Sequence, residues 1–260
     1  MIKKDVQNEK DYRKINIDKV GVKNIKYPII VEDRANKYQN TVAEIDIFVD
    51  LPHQYRGTHM SRFIEVLNSY HNDNIIDNLE PLLRKIKNKL SSKKAYISIK
   101  FPYFILKSAP ISQISSLLNY ECVFEASLDE IYEFYFGVTV PVTSLCPCSK
   151  AISDFGAHNQ RAYVSLRVQY NKFVWIEEMI EMIEKSASCE IYPLLKRPDE
   201  KYVTEKAYKN PVFVEDIVRS VTDKLRKDSR ITFFSVEVES IESIHNHNAF
   251  AQVHEDKRNL

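Results

Sequence analysis

Three stretches of this chain alternate apolar and polar residues with the period of a half-buried strand, and that pattern restricts the fold more than any other feature. Ala43, Ile45, Ile47 and Val49 alternate with Glu44, Asp46 and Phe48. Ala95, Ile97, Ile99 and Phe101 alternate with Tyr96, Ser98 and Lys100. Ala162, Val164, Leu166 and Val168 alternate with Tyr163, Ser165, Arg167 and Gln169. Residues two apart share one face of a strand, so each stretch offers one apolar face to a core.

The segments between carry helical spacing instead. Met60, Phe63, Ile64 and Leu67 mark one helical face, and Leu79, Leu82, Leu83 and Ile86 a second. Pro81 belongs in a first turn, which puts that helix start near Asn78, and the lysine-rich end suits the helix dipole. Later, Ile176, Met179, Ile180 and Ile183 give one helix, and Val214, Ile217, Val218, Val221 and Leu225 another. Strand patches at 20–31, an aromatic strand or hairpin over 120–140, and Phe234, Val236 and Val238 complete the series. The order is strands, two helices, strands, and then the same again. Strict strand–helix alternation is absent, so the expected class is α+β: two tandem modules, each an antiparallel sheet with two helices on one face. The expected division is a flexible tail over 1–15, a first module over 16–130, and a second over 131–260.

With 260 residues of which 44% are hydrophobic, the chain has ample material for a core. Its 37 basic and 36 acidic residues nearly cancel, which argues against a general nucleic-acid binder. Four cysteines do not make a secreted disulfide framework in a chain this long. The start, Met1-Ile2-Lys3-Lys4-Asp5, has no apolar core of a signal peptide, and no apolar run is long enough for a bilayer. A cytoplasmic protein without membrane partners is expected.

Chemistry concentrates in Pro141-Val142-Thr143-Ser144-Leu145-Cys146-Pro147-Cys148-Ser149-Lys150 and Gly156-Ala157-His158-Asn159-Gln160-Arg161. Pro147 lacks an N–H and pushes Cys146 out of helical geometry, so a loop is expected there. A thiolate and a neutral imidazole are zinc-type ligands. The bland alternative is two small buried hydrophobes. A Cys146–Cys148 disulfide would be strained by so short a loop. His245 and His247 lie beside Glu242 at the expected end of the last strand, pointing the same way, or else they form a solvated strand exit. Lys196-Arg197-Pro198-Asp199-Glu200-Lys201 reads by itself as a solvated loop. Glu215 opens a predicted helix, where a carboxylate is favourable on electrostatic grounds alone.

Taken together, these segments resemble the motifs of GTP cyclohydrolase I of the prokaryotic type IB. The resemblance runs through Gly57-Thr58-His59-Met60-Ser61-Arg62-Phe63, the two cysteine and histidine segments, Lys196–Glu200, Phe213-Val214-Glu215-Asp216 and Ile244-His245-Asn246-His247-Asn248. It implies a tunnelling fold with two modules per chain, a homotetramer, and active sites shared between subunits. It also implies hydrolysis of GTP to 7,8-dihydroneopterin triphosphate and formate, at the entry to pterin and folate synthesis. One Zn²⁺ or Mn²⁺ per site is then expected, with ligands from Cys146, His158, Glu200 and His245, and no organic cofactor. Cys148, Glu242 and His247 become candidate proton carriers or supports of the ligands. Lys150, Arg161, Lys196 and Arg197, with His59 and Arg62 from a neighbouring subunit, become candidates for the triphosphate. Glu215 is expected to anchor the base. Two rivals are the NADPH-dependent nitrile reductases of the same fold and a non-enzymatic protein whose Cys/His cluster holds a structural metal.

Overall fold

The structure is a computed structural model, which describes residues 7, 9–70 and 74–259. Contacts divide the chain into two compact units: Met1–Pro102 with Val123–Tyr135, and Tyr103–Cys122 with Phe136–Leu260. The expected tail falls partly outside the described residues. Its described part is tied down beside Arg56 and Gly57: the Arg56 amide donates to the Glu9 carbonyl, the Gly57 amide to the Gln7 carbonyl, and the Arg56 guanidinium meets the Glu9 carboxylate at 2.7 Å.

In the first unit, β1 (Ile17–Asp33) and β2 (Lys37–Leu51) form a long antiparallel hairpin, with Asp33 opposite Lys37 at its tip. The Asp33 carboxylate makes the turn by accepting from the amides of Ala35 and Asn36 at 2.8 and 2.7 Å. Gly21 is needed for close approach: a Cβ there would lie 1.9 Å from the Ile47 carbonyl oxygen. Two helices follow, α1 (Met60–Asn68) and α2 (Leu79–Leu90), burying Phe63, Val66 and Leu67 and then Leu79, Leu82, Leu83 and Ile86. Asn78 is the N-cap of α2, as Pro81 requires. Then β3 (Ala95–Ser108) pairs with β2, with Ile47 opposite Ile97.

The aromatic 120–140 region is a hairpin of two strands, β4 (Ser115–Leu128) and β5 (Tyr132–Leu145). Both of these strands, like β3, are long enough to lend residues to both units.

The second unit continues with a short helix α3 (Pro147–Ile152), β6 (Asn159–Tyr170), α4 (Ile176–Glu184) and the two-residue β7 (Cys189–Glu190). Helices α5 (Arg197–Lys209) and α6 (Val214–Lys227) lead to β8 (Ile231–Ser240) and β9 (Ala249–Asp256). β6 pairs antiparallel with β5 and β8, β9 pairs with β8, and β7 pairs with β5. The apolar positions read from sequence on α4 and α6 are all buried. Among the described residues no helix is long and apolar enough to cross a membrane.

Two expectations about local structure are corrected. The Cys146–Lys150 segment is not a plain loop: Cys146 is extended, and Pro147 opens α3, where its missing N–H costs nothing. Lys196–Lys201 is not a solvated loop but the start of α5, which the Asp199 carboxylate caps by accepting from the Lys196 amide at 2.9 Å.

Candidate active site

Antiparallel pairing gathers the site. Leu145 ends β5 opposite Asn159, which begins β6, and Ala162 near that start lies opposite Ser240 at the end of β8. Ser240 in turn faces Ala249, the first residue of β9. The 146–158 connection and the 241–248 connection therefore leave the same edge of the second unit. Amide–carbonyl bonds close both: Cys146 to His158 at 3.2 Å, and Ile241 to Arg161 at 2.9 Å. The link between α5 and α6 is held at the same place, since the Val212 amide donates to the Leu145 carbonyl at 3.2 Å and the Ser144 hydroxyl to the Val212 carbonyl at 3.0 Å.

The result is a cavity of about 400 Å³ in the second unit, lined by Cys146, His158, Glu215, Glu242, His245 and His247. That volume falls in the usual range of small-molecule sites, about 300–1,000 Å³. Phe213, Phe250, Val212 and Val214 supply apolar wall. Among the described lining residues there is no lysine or arginine.

The Cys146 sulfur accepts from the Ser149 amide at 3.4 Å, and the Ser149 hydroxyl accepts from the His158 amide at 3.3 Å. The His158 ring meets Gln160 Oε1 through Nδ1 at 2.9 Å, and Gln160 Nε2 donates to Glu242 at 3.1 Å. The rings of His245 and His247 stack with centroids 5.0 Å apart, in irregular chain rather than a strand. Glu215 is not the cap of α6. That task falls to Asp216, which accepts from the Phe213 amide at 3.0 Å, and Glu215 is left to line the cavity.

Other predicted residues lie elsewhere. Cys148 is exposed on α3, so neither half of the C-x-C pair is a buried hydrophobe. Lys150 donates to the Tyr208 carbonyl at 2.6 Å and lies 4.5 Å over the Tyr208 ring. Arg161 is on the exposed face of β6, opposite to Gln160. Lys196 and Arg197 are exposed at the start of α5. His59 and Arg62 belong to the first unit, where they line a small cavity of about 70 Å³ with Asp50 and Pro52. Glu200 does not line the site cavity. Val203, one turn further along α5 on a shared face, packs against the Leu145, Cys189 and Ala207 cluster, as Ala157 does.

Next to Glu200, Asp199 is fully buried and takes hydrogen bonds from the amides of Ile111 and Ser112, both at 2.8 Å, and from the Ser112 hydroxyl at 2.6 Å. Burial pushes its carboxyl up, but the Ser112, Lys196 and Ile111 donors more than offset that and hold it well below the usual carboxylate range. Sequence reasoning had given Asp199 no role. A carboxylate three residues into a helix that follows a polar residue is a signal that could have found it.

The donor types fit a divalent ion, since a thiol and three imidazoles on one cavity are the soft and borderline donors zinc prefers. Among the described residues, no three His, Cys, Asp or Glu side chains stand close enough together to enclose an ion as they are placed.

A family model described as "Type I GTP cyclohydrolase folE2" matches residues 4–251. The chain belongs to the FolE2 family. A GTP cyclohydrolase FolE2 of Geobacter metallireducens is 55% identical over 254 residues, covering 98% of this chain and 97% of its own. The Geobacter sulfurreducens protein of the same name is also 55% identical, with 98% of each chain covered. The motifs had suggested the type IB branch; the family that matches is FolE2 by name, and that assignment replaces it. Neither the nitrile reductase nor the structural-metal alternative gains from these matches.

Among solved structures, the uricase of Arthrobacter globiformis superposes with a TM-score of 0.55 at 8% identity, covering 92% of this chain and 93% of its own. Urate oxidase of Bacillus subtilis 168 gives 0.53 at 10% identity, covering 93% and 100%. At such identities the likeness is one of fold, and it places this FolE2 chain among tunnelling-fold proteins, as the tandem α+β reading expects.

Proposed function

We propose that the protein opens the imidazole ring of GTP, releases C8 as formate and yields 7,8-dihydroneopterin triphosphate, the first step toward tetrahydrofolate. The observation that carries this reading is the placement of Glu215 on one cavity with Cys146, His158 and His245. Guanine offers N1–H and its 2-amino group side by side, and an ionised carboxylate accepts both. Phe213 and Phe250 give the flat base apolar wall.

Cys146, His158 and His245, with Glu200 from α5, would hold one Zn²⁺ or Mn²⁺ per site. When bound, such an ion would supply a water acidic enough to attack C8 at neutral pH. Glu242 and His247 lie on the same cavity and can take up and return protons as the ring opens. Cys148, two residues from Cys146, is the more remote candidate for that work. The reaction so read needs no organic cofactor, and the same reading takes the protein as cytoplasmic.

The triphosphate needs cations, and none of the described lining residues supplies one. Lys150, Arg161, Lys196 and Arg197 lie on the elements around the cavity. His59 and Arg62 would come from a second copy in a homotetramer whose sites are shared between subunits. β9 has β8 as its neighbour in the strand order, which leaves an edge for a partner.

Incubating the pure protein with GTP and either Zn²⁺ or Mn²⁺ should release formate and a product that becomes fluorescent on oxidation. Protein that binds the metal in a closed shell and leaves GTP untouched would refute the reading. Sedimentation at micromolar concentration should show a species well above the mass of one chain. A fully active monomer would overturn the shared site.

A further inference from the structure

Gln160 was part of a motif but had no assigned task, and it sits between two residues of the cavity. Its Oε1 lies 2.9 Å from His158 Nδ1, and its Nε2 donates to Glu242 Oε1 at 3.1 Å. We infer that Gln160 is a positioning residue: it relays the Glu242 carboxylate to His158 and so fixes which imidazole nitrogen carries the proton. The inference rests on the reading of His158 as a metal ligand only for its consequence, not for the hydrogen-bond logic.

The logic runs from the carboxylate outward. Ionised Glu242 can only accept, so the Gln160 amide must turn its NH₂ toward it. The Oε1 atom is then the one that faces His158, and a carbonyl oxygen can only accept. Nδ1 of a neutral His158 must therefore carry the hydrogen, which leaves the lone pair on Nε2. That is the form in which an imidazole can ligate through Nε2, and a partner on the other nitrogen is the usual device for holding it. The Ser243 hydroxyl, 3.5 Å from the same Nδ1, accepts or donates equally and selects neither form. His158 and Gln160 are two apart at the start of β6, so the strand itself puts them on one face.

The test reads the tautomer in metal-free protein. Two-bond ¹H–¹⁵N correlation of ¹⁵N-histidine protein, with the His158 signals identified by their loss in His158→Asn, should show Nδ1 protonated and Nε2 bare. Gln160→Met should shift the population toward protonated Nε2, and Zn²⁺ affinity measured by chelator competition should fall on the order of 10–100-fold. Gln160→Glu, which keeps an acceptor for Nδ1–H, should retain the wild-type tautomer. Glu242→Gln, which no longer dictates the amide orientation, should mix the two forms. An unchanged His158 tautomer in Gln160→Met overturns the inference; if that variant does not fold, an unmixed tautomer in Glu242→Gln does so instead. A shifted tautomer with unchanged Zn²⁺ affinity would uphold the positioning role and refute His158 as ligand.

Discussion

The amide of Cys146 donates to the carbonyl of His158 at 3.2 Å, one step beyond the last β5–β6 pair. The two residues are thus fixed by the strand ladder rather than by the loop between them. The connection can carry α3 and the exposed Phe155 without disturbing the relation of thiol to imidazole. Chemistry placed at the root of a hairpin inherits the rigidity of the sheet.

Cys146→Ala should therefore abolish turnover and weaken metal binding while leaving the fold intact, because the backbone bond to His158 does not use the side chain. Loss of water activation should lower the rate by several powers of ten, at about 1.4 kcal/mol per tenfold. Cys148→Ala, at an exposed position outside the cavity, should be much milder. Steady-state kinetics with metal analysis of both variants checks this. Near-normal turnover in Cys146→Ala with stoichiometric metal would remove the thiol from the site.

Asp199→Asn should destabilise the protein and loosen the start of α5. Oδ2 accepts from the Lys196 amide at 2.9 Å and from the Ser112 hydroxyl, while Oδ1 accepts from the Ile111 and Ser112 amides. With Oδ1 kept toward those two amides, the new NH₂ faces the Lys196 N–H, donor against donor. A fall in Tm on the order of 5–10 °C is expected, since buried donors lose their acceptor. Metal affinity should drop with it, because Glu200 follows directly. An unchanged melting curve would mean that the helix start does not depend on this carboxylate.

The strands with clean alternation and the helices with clear apolar faces were legible because burial leaves a period in the sequence. α5 was not, since its pattern is weakly amphipathic: Asp199 and Ala207 are its buried residues, and the former is a carboxylate. β9 was missed for a related reason, its alternate residues being only half-buried at the edge. Of the site, Cys146, His158, Glu215, Glu242, His245 and His247 were read and are brought to one cavity. Lys150 could not be placed, because its bond to the Tyr208 carbonyl depends on a contact 58 residues away. Gln160 was visible two residues from His158, yet its task depends on Glu242, which only the strand pairing brings near.

Beneath α5, the Glu190 carboxylate accepts from Lys206 and from the Tyr192 hydroxyl, the latter at 2.5 Å. Burial raises its pKa, and the Lys206 and Tyr192 hydrogen bonds overcome that, bringing it from an ordinary 4.5 down to about 2. A depressed carboxylate favours the folded state above its unfolded pKa, and that contribution fades as pH falls through the folded value. Tm should thus stay level with respect to this group above about pH 5 and decline toward pH 2. Glu190→Gln should show a lower Tm at neutral pH and a shallower decline between pH 5 and 2. Parallel curves for the two proteins would show that Glu190 is not coupled to folding through its charge.

Glu215 offers the sharpest separation of function from helix electrostatics. Asp216 already accepts from the amide that begins α6, so the second carboxylate has no capping task to lose. It lines the cavity, and in the proposed reading its carboxylate would accept from the donor edge of guanine. Adenine presents a bare N1 acceptor at that edge. Glu215 is exposed on the cavity, so a bound base would cover its charge, and a charge covered without a donor rejects such a mismatch by roughly 10⁴-fold or more. GTP should be processed, and ATP at the same concentration should be neither processed nor inhibitory. In Glu215→Gln the amide keeps one acceptor but sets its NH₂ against a donor of the base, so turnover of GTP should fall by at least about a hundredfold, with kcat/KM the parameter to follow. A carboxylate acting only on the helix dipole would instead cost about 1 kcal/mol or less of stability, visible as a small drop in Tm with kinetics unchanged. Measured on the same preparation, kcat/KM and Tm separate the two: a lower Tm with normal GTP turnover would show that Glu215 is a helix-end charge and that the base is anchored elsewhere.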